Sequence, residues 1–307
     1  MNDGTVLHCH FQVISQPVNI HLERVMSELD LNIEKILIVG ATGKTGRRVY
    51  QLLSEQIPAQ RIKAASRHSD VHFDWQDSET WHAALEDVSH VYLVYSPDLA
   101  VPGSTDHILA FCTMAKRYNV AHITLLSGRG EPVAQSCEDI LINSGLSWTI
   151  VRASWFNQNF SDGLFKSFID KSLIALPVNN VKEPFVDIDD IAEIVNQSLL
   201  TTKHQNKLYE VTGPELLSFK DIADQFTEVL AKPIGFQKLS PMEFESVMST
   251  AKVPEDVTSL LSFLFTEVLD GRNESITNGV EQALGRKPKS FKRFIEDNKD
   301  QFGALQC

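Results

Sequence analysis

The sequence predicts an α/β protein: a doubly wound parallel sheet carrying a smaller, mainly helical C-terminal cap. Three observations predict it. Short continuous apolar runs, beginning with Ile36 to Val39, recur through the first half of the chain, as strands covered on both faces do. Amphipathic stretches alternate with them, and β alternating with α at these lengths implies parallel strands joined by helical crossovers. The first run leads into a glycine-rich turn and then a helix-spaced apolar set, Val49, Leu52 and Leu53.

Further strands are expected at Ile62 to Ala65, Val71 to Phe73, Val91 to Tyr95, Ile123 to Leu126 and Trp148 to Val151. Between them, Ile108, Phe111, Cys112 and Ala115 follow the i, i+3, i+4, i+7 pattern of a helix with one buried face. Beyond about Trp155 the alternation loosens. "DIDDIAEIVNQSLL" reads as a helix opened by acidic residues, and "KLYEVTG" as one more strand returning to the sheet. The remainder is expected to be mainly helical. Ser218 with Asp221, and Ser240 with Glu243, carry capping-box spacing, the second with Pro241 at the first helical position. The expected divisions are an N-terminal extension over 1–33 and a dinucleotide-binding core over 34–155, to which 185–213 return. A substrate cap is expected over 156–184 and 214–307.

Composition narrows the function. The 307 residues are 43% hydrophobic and 22% charged, enough for a full core, and the formal charge is -12 with a pI near 5.3. An acidic chain lacks the basic face that nucleic acid or an anionic membrane requires, so a small-molecule substrate is the expected partner. Cys9, Cys112, Cys137 and Cys307 are scattered without metal-ligand spacing, which reads as reduced thiols in a cytoplasmic protein with no bound metal. The first residues show no signal peptide. His8, Cys9 and His10 tempt a metal reading, but neighbours on a strand point to opposite faces. Met26 is an alternative start, and the extension is a candidate interface for a homo-oligomer.

The turn "GATGKTG" raises a choice of nucleotide. Gly43-Lys44-Thr45 resembles the end of a P-loop, yet the glycine a P-loop needs five residues before Gly43 is Ile38, inside the strand. Gly40, Gly43 and Gly46 instead form GxxGxxG at a strand-to-helix turn, a variant of the Rossmann dinucleotide fingerprint, in which missing side chains let a pyrophosphate approach helix N-terminal amides. A merely tight-packing turn is the alternative. At the end of the second strand, "AASRHSD" places Arg67 where NAD sites carry an acid, which favours NADP(H) over NAD(H), with Lys44 adding charge nearby. Asp70 keeps open the reading of Arg67 as a solvated surface residue.

"GATGKTGRRV", "LLSG" and "SWTIVRASWFNQNF" resemble the NmrA-like branch of atypical short-chain dehydrogenases. "HFDWQDSETWHAALEDVSHVYLV", "PFVDIDDIAEI", "YEVTGPELLSF" and "GRKPKSF" are similar to the festuclavine and agroclavine dehydrogenase group of secondary metabolism and its bacterial relatives. The resemblance spans roughly Lys35 to Phe294. It implies cofactor contacts at Gly40, Thr42, Gly43, Lys44, Thr45, Gly46 and Arg67, and at Tyr95, Ser96, Pro97, Ser127 and Gly128. It also implies that Trp155, Phe156 and Asn159 lie beside nicotinamide and substrate, and Trp155, Phe156 and Phe160 are expected to offer an aromatic wall, ordinary core packing being the alternative.

One absence is informative. Ordinary short-chain dehydrogenases protonate a carbonyl oxygen with a Tyr-x-x-x-Lys pair. Here Tyr50, Tyr92, Tyr95, Tyr118 and Tyr209 are followed four residues on by Ser54, Ser96, Leu99, His122 and Gly213. "EPVAQSCEDILINSG", where the pair belongs, contains neither residue type, and Cys137 within it reads as a core thiol. Ser127 and Tyr95 are the remaining candidates for a catalytic proton donor. Two readings stay open: an NADPH-dependent reductase of an acceptor needing little acid catalysis, such as an iminium, imine, quinone or conjugated dye, and a non-catalytic NADP(H)-binding redox sensor.

Overall fold

The computed structural model describes residues 33–163 and 165–302. The expectations for His8, Cys9 and His10, for a start at Met26 and for an interface in the extension fall outside the described residues. Seven strands, β1 (Ile36–Val39), β2 (Ile62–Ser66), β3 (Val71–His72), β4 (His90–Leu93), β5 (His122–Gly128), β6 (Ser147–Ala153) and β8 (Lys207–Val211), form one sheet in the order β3-β2-β1-β4-β5-β6-β8. Every neighbouring pair is parallel. The order reverses between β1 and β4, so the sheet is the expected doubly wound one and its ligand crevice falls at that switch.

The apolar runs explain why both faces are covered. Leu37 and Val39 of β1 point to one face, with α2 (Glu79–Leu85), α3 (Ser104–Arg117) and α4 (Pro132–Ile142). Ile36 and Ile38 point to the other, against α1 (Lys44–Ser54) and α6 (Ile188–Leu200). The expected helical set Ile108, Phe111, Cys112 and Ala115 is fully buried on α3. No helix among the described residues is long and apolar enough to cross a membrane.

A third apolar cluster gathers α5 (Lys166–Asp170), α7 (Phe219–Leu230), α8 (Pro241–Thr250), α11 (Phe291–Asp297) and α12 (Lys299–Phe302) around Phe160, Phe185, Phe226 and Phe291. Both capping boxes form, at Ser218 and Ser240. The C-terminal region is less purely helical than its sequence suggests. β7 (Leu173–Leu176) and β9 (Gly235–Lys238) make a separate two-stranded parallel sheet, and three of the four β9 residues are exposed, which removes the apolar run that would reveal a strand. Between α8 and α11 lie α9 (Glu255–Phe263), a π-helical turn at Leu264–Val268, and α10 (Gly279–Leu284).

Acidic residues at the start of α6 fasten the C-terminal segment to the core. Asp187 caps α6 by accepting from the Asp189 amide at 2.9 Å. Asp190, 1% exposed, accepts from Arg286 Nη1 at 2.6 Å and from the Lys289 amide at 2.8 Å. "DIDDIAEI" and "GRKPKSF" are therefore two halves of one contact.

At the amino end of the sheet, His122 bonds Ser147 Oγ at 2.9 Å through Nδ1, and His204 Nδ1 meets the Tyr209 hydroxyl at 2.9 Å. Burial pushes His122 down to about 3 and His204 down to about 4. Both stay neutral in the fold while an unfolded chain binds protons below the ordinary value of about 6.5. The contribution of these two histidines to stability is therefore full above that value and falls as pH drops towards 4, by about 1.4 kcal/mol per pH unit for each. Buried carboxyls raised above the usual range, Glu131 and Glu183, work in the opposite sense over the same window, so the histidine share is read as a difference: the urea midpoint of His122→Asn should lose less on acidification than that of the parent, by one proton's slope, and parallel curves would refute it.

Candidate active site

The glycine turn is held by backbone contacts. The Gly40 and Ala41 amides both donate to the Ala65 carbonyl of β2, at 2.9 and 3.1 Å, and the Gly43 amide donates to Gly40 O at 2.9 Å. Gly40 adopts φ +77°, a conformation that disfavours a side chain. Gly46 answers to a different constraint, because a Cβ there would run into the Gly40 carbonyl oxygen and the Ala41 Cα. Gly43 stands at the N-cap of α1 without a side-chain cap bond. The first turn therefore has no side-chain cap, and Gly43, Lys44 and Thr45 border the crevice, the arrangement that suits a phosphate.

A cleft of about 790 Å³ runs along the carboxyl edge of the sheet. Arg67 and Trp75 stand at the β2 side, Thr42 to Thr45 border its middle, and Trp155, Phe156 and Asn159 face Leu260, Leu261 and Leu264 of the C-terminal region. Tyr95, Ser96, Pro97, Ser127 and Gly128 complete the wall between them, with Asp98 and Glu131. Arg67 is exposed, and among the described residues no carboxylate forms an ion pair with it, Asp70 included.

Several expectations need correction. Phe160 is fully buried among Phe165, Phe185 and Phe291, with ring centroids 5.2 to 6.0 Å away, so it packs the cap core and does not line the cleft. Gly46 lines nothing and serves the turn. The Lys44 ammonium donates to Asn159 Oδ1 at 2.7 Å, so the charge expected to join Arg67 is committed to the segment after β6. Burial lowers the Lys44 pKa.

The two candidate proton donors are both engaged. Ser127 Oγ donates to Glu138 Oε1 at 2.6 Å, and Glu138 is clamped by Arg152 of β6. The Tyr95 hydroxyl lies 2.7 Å from His107 Nδ1, and burial raises its pKa. Cys137 is a core thiol, fully buried, 3.7 Å from Ser104 Oγ, with its pKa raised by burial. Sequence reasoning missed Trp75, whose Nε1 donates to Val94 O at 3.2 Å and whose ring packs 4.7 Å from Tyr95. It also missed Asp98 and Glu131. The only signal was their place after strand ends.

Fold and crevice together define an α/β protein of the doubly wound, Rossmann-like class with a second, C-terminal layer beside the crevice. Residues 135–296 match the NmrA-like family, and the chain belongs to that family. It is 30% identical over 289 residues to agroclavine dehydrogenase of Claviceps fusiformis, covering 86% of this chain and 97% of that protein. It is 27% identical over 276 residues to prestalk A differentiation protein A of Dictyostelium discoideum, covering 85% and 91%. Among solved structures, the triphenylmethane reductase of Citrobacter sp. complexed with NADP(H) superposes with a TM-score of 0.74 at 19% identity, over 86% of this chain and 99% of that one.

Gly46→Ala forces a Cβ against backbone that belongs to the same turn, where nothing flexible can yield. It should destabilise the protein by about 1–3 kcal/mol, the cost of overpacking a closed site. The urea midpoint checks this, and an unchanged midpoint would show that the turn relaxes freely.

Proposed function

We propose that the protein is an NADPH-dependent reductase that passes hydride to a small, flat or cyclic acceptor, an iminium, imine or quinone, without a Tyr-x-x-x-Lys pair. The observation that carries this reading is the crevice itself: uncapped amides of α1 at the switch point, with an unpaired Arg67 at the end of β2. The names of the dehydrogenase and reductase relatives support it.

The residues present fit a phosphorylated dinucleotide. The α1 amides would hold its pyrophosphate, and Arg67 its 2'-phosphate, since a guanidinium with no ion-pair partner among the described residues breaks no such pair on binding. The nicotinamide supplies a hydride when bound. Tyr95 to Pro97 and Ser127-Gly128 border the remaining space, where Trp155 closes the wall by stacking on Phe265, centroids 5.4 Å apart. Such rings exclude water and favour a flat, electron-poor or cationic acceptor through their π faces. Holding two reactants in contact is itself a large part of such catalysis.

The test is NADPH oxidation over cyclic iminium salts, quinones and triphenylmethane dyes, run beside a cofactor-binding titration. Turnover is the expected result, whereas tight binding with no turnover on any acceptor would favour a redox sensor. Arg67→Ala should weaken NADPH binding by about 1.5–3 kcal/mol, the range for a hydrogen bond to a charged group, and scarcely alter NADH. Equal losses for both nucleotides would refute the role given to Arg67.

A further inference from the structure

We propose that Glu131, beside Asp98 on the wall of the cleft, is the proton donor for neutral acceptors whose reduction takes up a proton as well as a hydride. The inference rests on the reductase reading above. It starts from the position of the carboxyl. Glu131 precedes α4 as its N-cap but makes no side-chain cap bond, and it is 8% exposed while lining the cleft. Its carboxyl group lies against the Cα of Gly128, the last residue of β5, so closely that a Cβ there would run into both oxygens and the carbon between them. Glycine at 128 is what makes room for it.

The partner of this carboxyl is another carboxyl. Asp98, in the loop after β4, accepts from the Ala100 amide at 2.7 Å and lies beside Glu131 on the cleft wall, close enough for the two acids to shift one another. Among the described residues neither acid forms an ion pair with a Lys, Arg or His. Arg129 is spent on Glu210, Asn273 and Ser275, and Arg152 on Glu138 and Glu210. Two adjoining carboxyls without a cation hold one proton between them, because both cannot ionise side by side.

Burial, and then the neighbouring charges of Asp98 and Glu138, keep that proton on Glu131 well above the usual carboxylate range. Asp98 is also raised, by burial first, but the Ala100 amide and Glu131 favour its charged form. The titratable groups facing Glu131 are thus Asp98 from the β4 loop and Glu138 from its own helix, the latter also held by Arg152. Ser127 has its hydroxyl proton committed to Glu138, and Glu131 is the cleft acid with a proton to give.

The step balances. A quinone or imine accepts hydride at one end of its conjugated system, and the displaced electron pair moves to oxygen or nitrogen. The O–H bond of Glu131 breaks and an O–H or N–H bond forms on that atom. The acceptor has gained two electrons and the equivalent of H₂, and the acid pair has lost one proton. Two adjacent carboxylates then draw a proton from solvent through the half-buried Asp98.

The experiment compares parent protein with Glu131→Gln, an isostere of the protonated acid, on a neutral quinone and on an N-methylated cyclic iminium whose nitrogen takes up no proton. The ratio of quinone to iminium turnover should fall about 10²- to 10⁴-fold, the contribution of a positioned acid. Infrared spectra of the protein without nucleotide supply a second readout. At about pH 8, above the value of about 7 to which burial raises Glu183, a protonated-carboxyl C=O stretch sensitive to deuterium exchange should be present in the parent and lost in Glu131→Gln. Asp98→Asn should make that band titrate away at lower pH. An unchanged turnover ratio, or equal losses on both acceptors, would overturn the donor role, as would a parent spectrum without the band. A parent that reduces neither acceptor overturns the reductase reading and the donor role with it, while the infrared band still reports whether the pair shares a proton.

Discussion

The buried ionic chain from Glu138 through Arg152 and Glu210 to Arg129 holds the active half of the molecule together. Glu138, on α4, is 2% exposed and is met by Arg152 of β6 through Nε at 2.9 Å and through Nη2. Arg152 also reaches Glu210 of β8, which accepts from Arg129 Nε at 2.7 Å. Arg129 ends the chain on the carbonyls of Asn273 and Ser275, in the loop before α10. One set of charges thus ties a helix, two adjacent strands, the turn after β5 and the C-terminal region. Removing Arg152 would strand Glu138, 2% exposed, without its cation, a loss of about 3–5 kcal/mol for a buried charge left unpaired. The chain also bears on chemistry, since Glu138, held by Arg152, accepts the hydrogen bond that Ser127 donates and leaves Ser127 free only as an acceptor.

A second fastening works at the opposite edge of the same cleft. Arg48 of α1 donates to Asp189 of α6 at 2.9 Å, Arg47 meets Asp162 at 3.1 Å, and Lys44 meets Asn159 at 2.7 Å. The helix whose first turn borders the crevice is therefore fixed to the segment that carries Trp155 and Phe156. The exposed pairs among these contribute little to stability. Their effect is on register: both walls of the cleft answer to the position of α1, so a group bound at the glycine turn and one held against the aromatic wall keep a fixed separation.

The parts of this arrangement that were legible in the sequence are those written locally. The central strands β1, β4 and β5 announce themselves because burial on both faces demands apolar runs such as Ile36 to Val39, and the glycine turn because Gly40, Gly43 and Gly46 sit where a strand becomes a helix. β9 was illegible because its residues are mostly exposed and it pairs with a strand 62 positions away, Leu173 with Gly235. Phe160 misled because its spacing from Trp155 and Phe156 suggests one helical face, whereas the 3₁₀ turn at Asn157–Asn159 rotates it into the cap core. Glu131 carried no motif. Its meaning lies in lying over Gly128 and against Asp98, contacts that exist only once β4 and β5 are side by side.

Burial pushes four groups of the cleft in one direction: it raises Tyr95, Asp98 and Glu131 and lowers Lys44, each towards its neutral form. The cause is the same scarcity of water that lets Trp155, Phe165 and the leucines after Glu255 close the wall. In such a medium an uncompensated charge is costly and a charge that cancels another is favourable. A Tyr-Lys pair would bring a cation into this space to stabilise a developing oxyanion. An acid that enters protonated avoids that cation, and it becomes charged only as the acceptor loses the charge that hydride has given it. On the stretch of wall around Asp98 and Glu131, where no cation pairs with either acid among the described residues, the missing pair and the shared carboxyl proton are consistent with one another.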